Sequence, residues 1–166
     1  MDNYYEQLVT SRETPKYIIS RLGMIISAIT AAFYLLISQA LFFIIFAVTA
    51  LILLFVKKTS YVEYEYTFNN GDIDVDIIYD QNKRKRVYNF DVKEVELLAL
   101  ADSDEARQFS TRKGKVYKFY PSTSQEKIYV AMVNKGGKKS KVLFVPNEKF
   151  IGLCFKYNPR AVKRAQ

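Results

Sequence analysis

The sequence has no histidine, no tryptophan and a single cysteine, with only four prolines and six glycines among 166 residues. Without histidine the chain lacks the commonest general base and the commonest metal ligand. The lone Cys154 excludes an intrachain disulfide and any all-cysteine zinc site. As a nucleophile it would need an exposed cationic setting and a base partner. Its place on the apolar stripe of "EKFIGLCFKYN" suits a small core residue instead. The Walker phosphate loop, the dinucleotide-binding glycine fingerprint and the G-x-S-x-G elbow are missing as well. "NKGGKKSK" has the glycines and lysines of a phosphate loop without the spacing, and a hairpin turn accounts for it. These absences argue against an enzyme and leave no cofactor or metal to expect.

Charge is also missing, from Leu22 to Val56, a run of 35 residues. As one helix at about 1.5 Å per residue this run would reach roughly 52 Å, against a hydrocarbon core of about 30 Å. Two spans resolve the mismatch: Ile18 to Ile37 and Ala40 to Lys58, turning at Ser38-Gln39, the most polar pair in the run. Arg21 then falls in the first turn of the first helix and can snorkel outward. Arg12, Lys16 and Arg21 flank the start, Lys57 and Lys58 the end, and no cation lies at the turn. The positive-inside tendency places both termini in the cytoplasm of a multi-pass plasma-membrane protein. A cleaved signal peptide would have a much shorter apolar region. Ser27, Ala28, Ala31 and Ala32 offer small residues through which such helices could assemble into homo-oligomers. Tyr4, Tyr5, Leu8 and Val9 fall at helical spacing, which predicts a short interfacial helix or a frayed end for residues 1–16.

After Lys58 the period changes to two. "YVEYEYTFNNGDIDVDIIY" alternates around Asn70-Gly71, a strong hairpin signal. With those two residues as the loop, Phe68 faces Ile73, Tyr66 faces Val75 and Tyr64 faces Ile77. Glu63, Glu65, Asp72, Asp74 and Asp76 then occupy the other side. Further strands are predicted at Arg84–Phe90, Val95–Leu100, Lys115–Tyr120, Lys127–Val133 and Ser140–Val145, with Gly136-Gly137 turning between the last two. Asn147 is placed to cap a closing helix that carries Phe150, Ile151, Cys154 and Tyr157 on one stripe and stops at Pro159. The count is seven strands, four before the acidic loop "ADSDEARQ" and three after, then one helix. The boundaries are 1–16 for the juxtamembrane segment, 17–58 for the hairpin, 59–159 for the β domain and 160–166 for a basic tail.

The three alternate aspartates invite a calcium or catalytic reading. A calcium loop starting at Asp72 would need glycine where Ile77 stands and glutamate where Lys83 stands. Catalytic carboxylates need opposed environments, whereas these share one strand face that alternation leaves solvated. Like charges across the hairpin, such as Glu65 and Asp76, would repel, and the nearby "NKRKRVY" can relieve them.

Formal charge is +8 overall but uneven: residues 61–101 carry −4 and residues 106–166 carry +13. This fits either an anionic partner or surface, or two halves that neutralise each other. The candidate contacts for anionic lipid or a protein partner are Lys83, Arg84, Lys85, Arg86, Arg112, Lys113, Lys138 and Lys139. Solvated loops under a positive-inside bias explain the same clusters. Nucleic acid is disfavoured, because strand alternation accounts for the tyrosines among lysines in "GKVYKFY".

The strand order resembles the pleckstrin-homology-like barrel, whose sheets of four and three strands are closed by a C-terminal helix. "DNYYEQLV" (Asp2 to Val9), "VEYEYTFNNGDIDVDII", "KRKRVYNFDVKEVE" and "EKFIGLCFKYNP" are similar to a family of Gram-positive bacterial membrane proteins. These combine a two-helix membrane hairpin with a cytoplasmic PH-like domain. The resemblance implies an α+β fold, a transmembrane helical hairpin followed by a PH-like seven-stranded barrel or sandwich and a C-terminal helix. It carries over no catalytic residue. Eukaryotic PH domains that bind inositol phosphates carry cations around the first hairpin loop, whereas that loop here is Asn69 to Asp72. The functional expectation is a non-catalytic membrane-held module for a protein segment or anionic lipid. A structural subunit assembling through its helices is the alternative.

Overall fold

The computed structural model describes residues 3–110 and 114–163. Two compact units emerge. One comprises Ser11–Val62 with Tyr79–Lys83, and the other the residues up to Thr10, Glu63–Ile78 and those from Arg84 onward.

The first unit is a helical hairpin, α1 (Pro15–Leu36) and α2 (Ala40–Ser60). The first helix starts three residues before the predicted Ile18, because Thr14 caps it by accepting the Tyr17 N–H and Pro15 takes the first helical position. Arg21 therefore sits in the second turn, and its guanidinium reaches back to Glu13 at 3.7 Å. The chain reverses at Ser38, whose φ of 59° is left-handed, and the Gln39 N–H donates to the Tyr34 carbonyl. At about 1.5 Å per residue the helices are roughly 33 and 32 Å long, enough to cross a bilayer core of about 30 Å.

Their packing uses small residues. A Cβ on Gly23 would lie 3.1 Å from Leu53 Cδ1, and Ser20, Ser27 and Ala31 are buried. Two of the four small residues singled out for helix assembly, Ser27 and Ala31, are thus consumed inside the hairpin, while Ala28 and Ala32 face outward. No residue of α2 is buried, and Leu41, Ile44, Leu51 and Phe55 are exposed. At the base, Lys57 pairs with Asp80 at 3.0 Å, and the Asp80 N–H donates to the Tyr61 carbonyl. The Tyr61 hydroxyl donates to the Ser11 carbonyl.

The second unit is a two-sheet sandwich. Its first sheet has the order β1 (Tyr4–Val9), β2 (Val62–Asn69), β3 (Asp72–Tyr79) and β4 (Lys83–Asp91). The second contains β5 (Val95–Leu100), β6 (Lys115–Lys118), β7 (Tyr129–Lys135) and β8 (Lys138–Phe144), ordered β5-β7-β8-β6. A 3₁₀ turn at Val92–Glu94 links the sheets, and α4 (Glu148–Tyr157) closes the core. Asn147 caps α4 by accepting the Phe150 N–H at 2.9 Å, as its position predicted. Asn70 and Gly71 form the β2–β3 loop with φ of 51° and 105°, the left-handed pair that a two-residue hairpin turn demands. Gly71 is needed twice over, since a Cβ there would meet the Tyr157 ring at 2.9 Å.

Tyr66, Phe68, Ile73, Val75, Phe90, Phe144 and Phe150 are wholly buried between the sheets. Each such side chain is worth about 1.5–3 kcal/mol of burial. Tyr66 and Phe68 both meet Phe150 edge-on, so α4 is pinned by aromatic contacts. The Tyr66 hydroxyl donates to the Phe119 carbonyl and accepts from the Val145 N–H, so this buried polar tip is satisfied.

Three expectations are corrected. The segment around Tyr4–Val9 is an edge strand of the domain and not an interfacial helix, paired with β2 from Tyr4 opposite Asn69 to Val9 opposite Tyr64. The physical cause is the partner strand, because six residues gain more from a ladder and a core face than from an isolated helical turn. It brings the count from seven strands to eight, and "VELLAL" moves into the second sheet. Within the acidic loop, Asp104–Ser110 is a short helix, α3, capped by the Ser103 hydroxyl. Its Ala106 joins Leu97, Ala99, Val130 and Met132 in a second small core on the outer side of the second sheet.

Candidate functional site

The acidic strand and the basic run of β4 meet in the first sheet. Arg84 pairs with Glu65 at 2.5 Å, and Arg86 reaches Asp74 at 2.9 Å and Asp76 at 3.4 Å. Asn89 Nδ2 also donates to Asp74 at 2.9 Å. The arginines offset the repulsion expected between Glu65 and Asp76 without removing it, since Asp76 still pushes the Glu65 carboxyl up.

The expectation of a solvated acidic face fails, however. Glu63, Glu65 and Asp76 are 4%, 6% and 6% exposed. For Glu65 and Asp76 the reason lies in the arginines, more than half exposed themselves, whose guanidinium groups lie over the carboxylates. Glu65 carries the main electrostatic cost. One of its oxygens has no hydrogen-bond partner, and burial pushes its carboxyl up, against the opposing pull of Arg84. Two arginines are thus shared among three carboxylates, Glu65, Asp74 and Asp76, while Asp72, on the strand of the two aspartates, stays exposed.

Tyr88 and Phe90, of the same parity as Arg84 and Arg86, pack in the core. The strand therefore changes face between Arg86 and Tyr88, which is how one nine-residue element serves both the acidic face and the interior. Sequence alternation alone did not disclose that irregularity.

The predicted basic contacts are thus sorted by their surroundings. Arg84 and Arg86 are occupied by carboxylates. Lys83, Lys85 and Lys138 are exposed, and Lys139 lies 3.8 Å from Glu96. Arg112 and Lys113 lie outside the described residues. Lys138 is across a glycine turn from Lys135, whose ammonium donates to Asn89. Since Asn89 meets Asp74, that turn belongs to the Asn70–Gly71 end of the sandwich. Lys83 and Lys85 stand at the opposite end of β4 from Asn89. The clusters therefore do not form one site.

Carboxylates of the acidic segment are met chiefly by Arg84 and Arg86, which belong to that segment. The cations of the C-terminal half are left mostly to other surroundings: Lys115 stands over the Tyr117 ring at 5.1 Å and Lys149 over Tyr5 at 4.2 Å.

Residues 161–163 pair with the second sheet. Val162 bridges Leu98 in parallel, the Leu98 N–H donates to the Ala161 carbonyl, and the Lys163 N–H returns to Leu98. This contact covers the edge of β5. Farther along, Glu126, Lys127, Tyr129, Pro146, Glu148 and Ile151 help line an open depression. Cys154 is fully buried, and burial pushes its thiol up to about 12, the setting of an unreactive core residue.

Among the described residues, two four-stranded sheets closed by a C-terminal helix follow the PH-like layout with one strand more than the barrel of four and three. The chain belongs to the bacterial PH-like domain family (DUF6106), whose family model matches residues 1–164. That match takes in the apolar hairpin as well as the sandwich. No curated protein and no solved structure matches the chain.

Proposed function

We propose that this chain is a membrane-held, non-catalytic binding module, with its PH-like domain offered at the cytoplasmic face to a protein segment or to anionic lipid. The observation that carries the reading is the insertion of the hairpin between two paired strands. The chain that leaves the sheet at Val9 returns to its partner strand at Tyr64. Whatever α1 and α2 traverse, they begin and end on the same side. Two apolar helices of spanning length, with outward apolar side chains and cations only at their outer ends, suit one hairpin crossing.

Lipid contact is best assigned to Lys83 with the flanks Arg12, Lys16 and Lys58, since Lys57 is taken up by Asp80. Each cation near an anionic surface gains about 1 kcal/mol. Lys138, exposed beside the β7–β8 turn, and its neighbour Lys139 are offered to a protein partner. A catalytic role finds no support in the acidic strand, where Asp74 and Asp76 are held by Arg86.

Cysteine labelling on intact cells tests the topology. Cysteine at Ser38 is expected to react with a membrane-impermeant maleimide, whereas cysteine at Gln125 reacts only after permeabilisation. Labelling of Gln125→Cys from outside would overturn the reading.

A further inference from the structure

We infer that the free edge of β6 is a docking strand for an acidic, extended polypeptide segment. This deepens the module reading above by naming the surface and the chemistry of its partner. β6 ends its sheet. It pairs in parallel with β8 on one side, Lys115 opposite Ser140 through Lys118 opposite Leu143, and among the described residues no strand pairs with its other side. The backbone donors and acceptors of that side are therefore available for strand addition.

The side chains around this edge select the occupant. Lys115 and Lys118 are exposed at the two ends of the strand, and Val116 between them is 53% exposed. Val116 lies beside Lys141 in the register, which adds a cation from the neighbouring strand. On the inner side, Tyr117 stacks with Phe119 and packs against Tyr88 of β4 at 4.8 Å, so the strand has a firm aromatic backing. An added strand would set side chains of one face beside Lys115 and of the other beside Lys118, and a carboxylate at either place is favoured. Lysines on an edge also discourage indiscriminate strand pairing. The same feature makes pairing conditional on acidity in the partner. The ladder presents both N–H donors and C=O acceptors, which another peptide strand matches and acceptor-only phosphate groups do not, and this favours polypeptide over lipid headgroups or nucleic acid.

The test uses the full chain in neutral phosphatidylcholine nanodiscs and a fluorescein-labelled octapeptide of alternating Glu and Val. Binding is expected at low salt, weakening as salt rises. N-methylation at every second peptide residue, which removes the ladder but keeps the charge, should weaken it at least about tenfold. Lys115→Glu with Lys118→Glu should abolish binding of the acidic peptide and admit its Lys/Val counterpart, and that gain keeps the outcome separate from misfolding. Equal binding of the N-methylated peptide, or no binding at low salt, would sink the proposal. So would loss of phosphatidylglycerol-vesicle binding in the double variant while peptide binding is unchanged. None of these results bears on the side of the membrane reached by labels at Ser38 and Gln125, so the two readings fail separately.

Discussion

Gln7 and Asn147, 140 positions apart, are joined by a hydrogen bond: the Asn147 N–H donates to Gln7 Oε1 at 2.8 Å. The same amide donates from Nε2 to the Val145 carbonyl at 2.9 Å. One buried side chain thereby satisfies two backbone groups at the junction of β8 and α4. Asn147 Nδ2 in turn donates to the Tyr5 hydroxyl at 2.8 Å, so β1 holds the start of the closing helix at two points.

Gln7→Ala is expected to destabilise the domain by about 1–3 kcal/mol, because it strands a buried donor and a buried acceptor together. Urea unfolding of the purified variant measures it. Gln7→Glu should cost more, since a carboxylate would then face the Val145 carbonyl.

A chain that begins at Ser60 lacks β1 and should not fold cooperatively, whatever its solubility. Joining Val9 directly to Val62 through a short Asn-Gly loop should restore a cooperative melt without the helices, because Val9 and Tyr64 are already opposite each other. Circular dichroism on the two proteins decides the matter. A sharp transition in the shorter one would show that β1 is dispensable.

Glu65 makes the acidic face pH-sensitive. Its folded pKa is raised, chiefly by burial and further by Glu6 and Asp76, with Arg84 opposing. The protonated form therefore favours the folded state. Its contribution is fully present below the unfolded-state pKa and is lost as pH rises through the folded one. Relative to the parent, Glu65→Gln should gain stability across that rise and hold the gain at neutral pH. Arg84→Ala should move the loss to higher pH. Melting temperatures from pH 4 to 8, read as differences between variant and parent, give the sign.

Cys154 should resist alkylation by iodoacetamide in the native protein even at pH 9, since burial raises its thiol to about 12. Labelling should become complete on unfolding in urea. Rapid labelling of the folded chain would return the thiol to consideration as a reactive group.

The hairpin was legible in the sequence because length and hydrophobicity are additive along the chain. An uncharged run of 35 residues cannot cross once, and Ser38-Gln39 was its one polar pair. The Asn70-Gly71 turn was equally legible, because positive φ is a local demand that few residues meet. The closing helix followed from Asn147 and its apolar stripe for the same local reason.

Other features depended on contacts between distant residues. Tyr4, Tyr5, Leu8 and Val9 suit a helix stripe, and the inward position of Gln7 hides the alternation of a strand. Only the backbone groups of Val145 and Asn147 make a glutamine acceptable there. The reach of Arg84 and Arg86 over the carboxylates likewise depends on strand placement, and so does the change of face in β4. Composition by itself determined that the chain has a greasy hairpin, a β domain and an excess of cations. Tertiary structure alone decided which cations are spent on carboxylates and which edges remain open, because those outcomes belong to pairs of residues far apart in the chain.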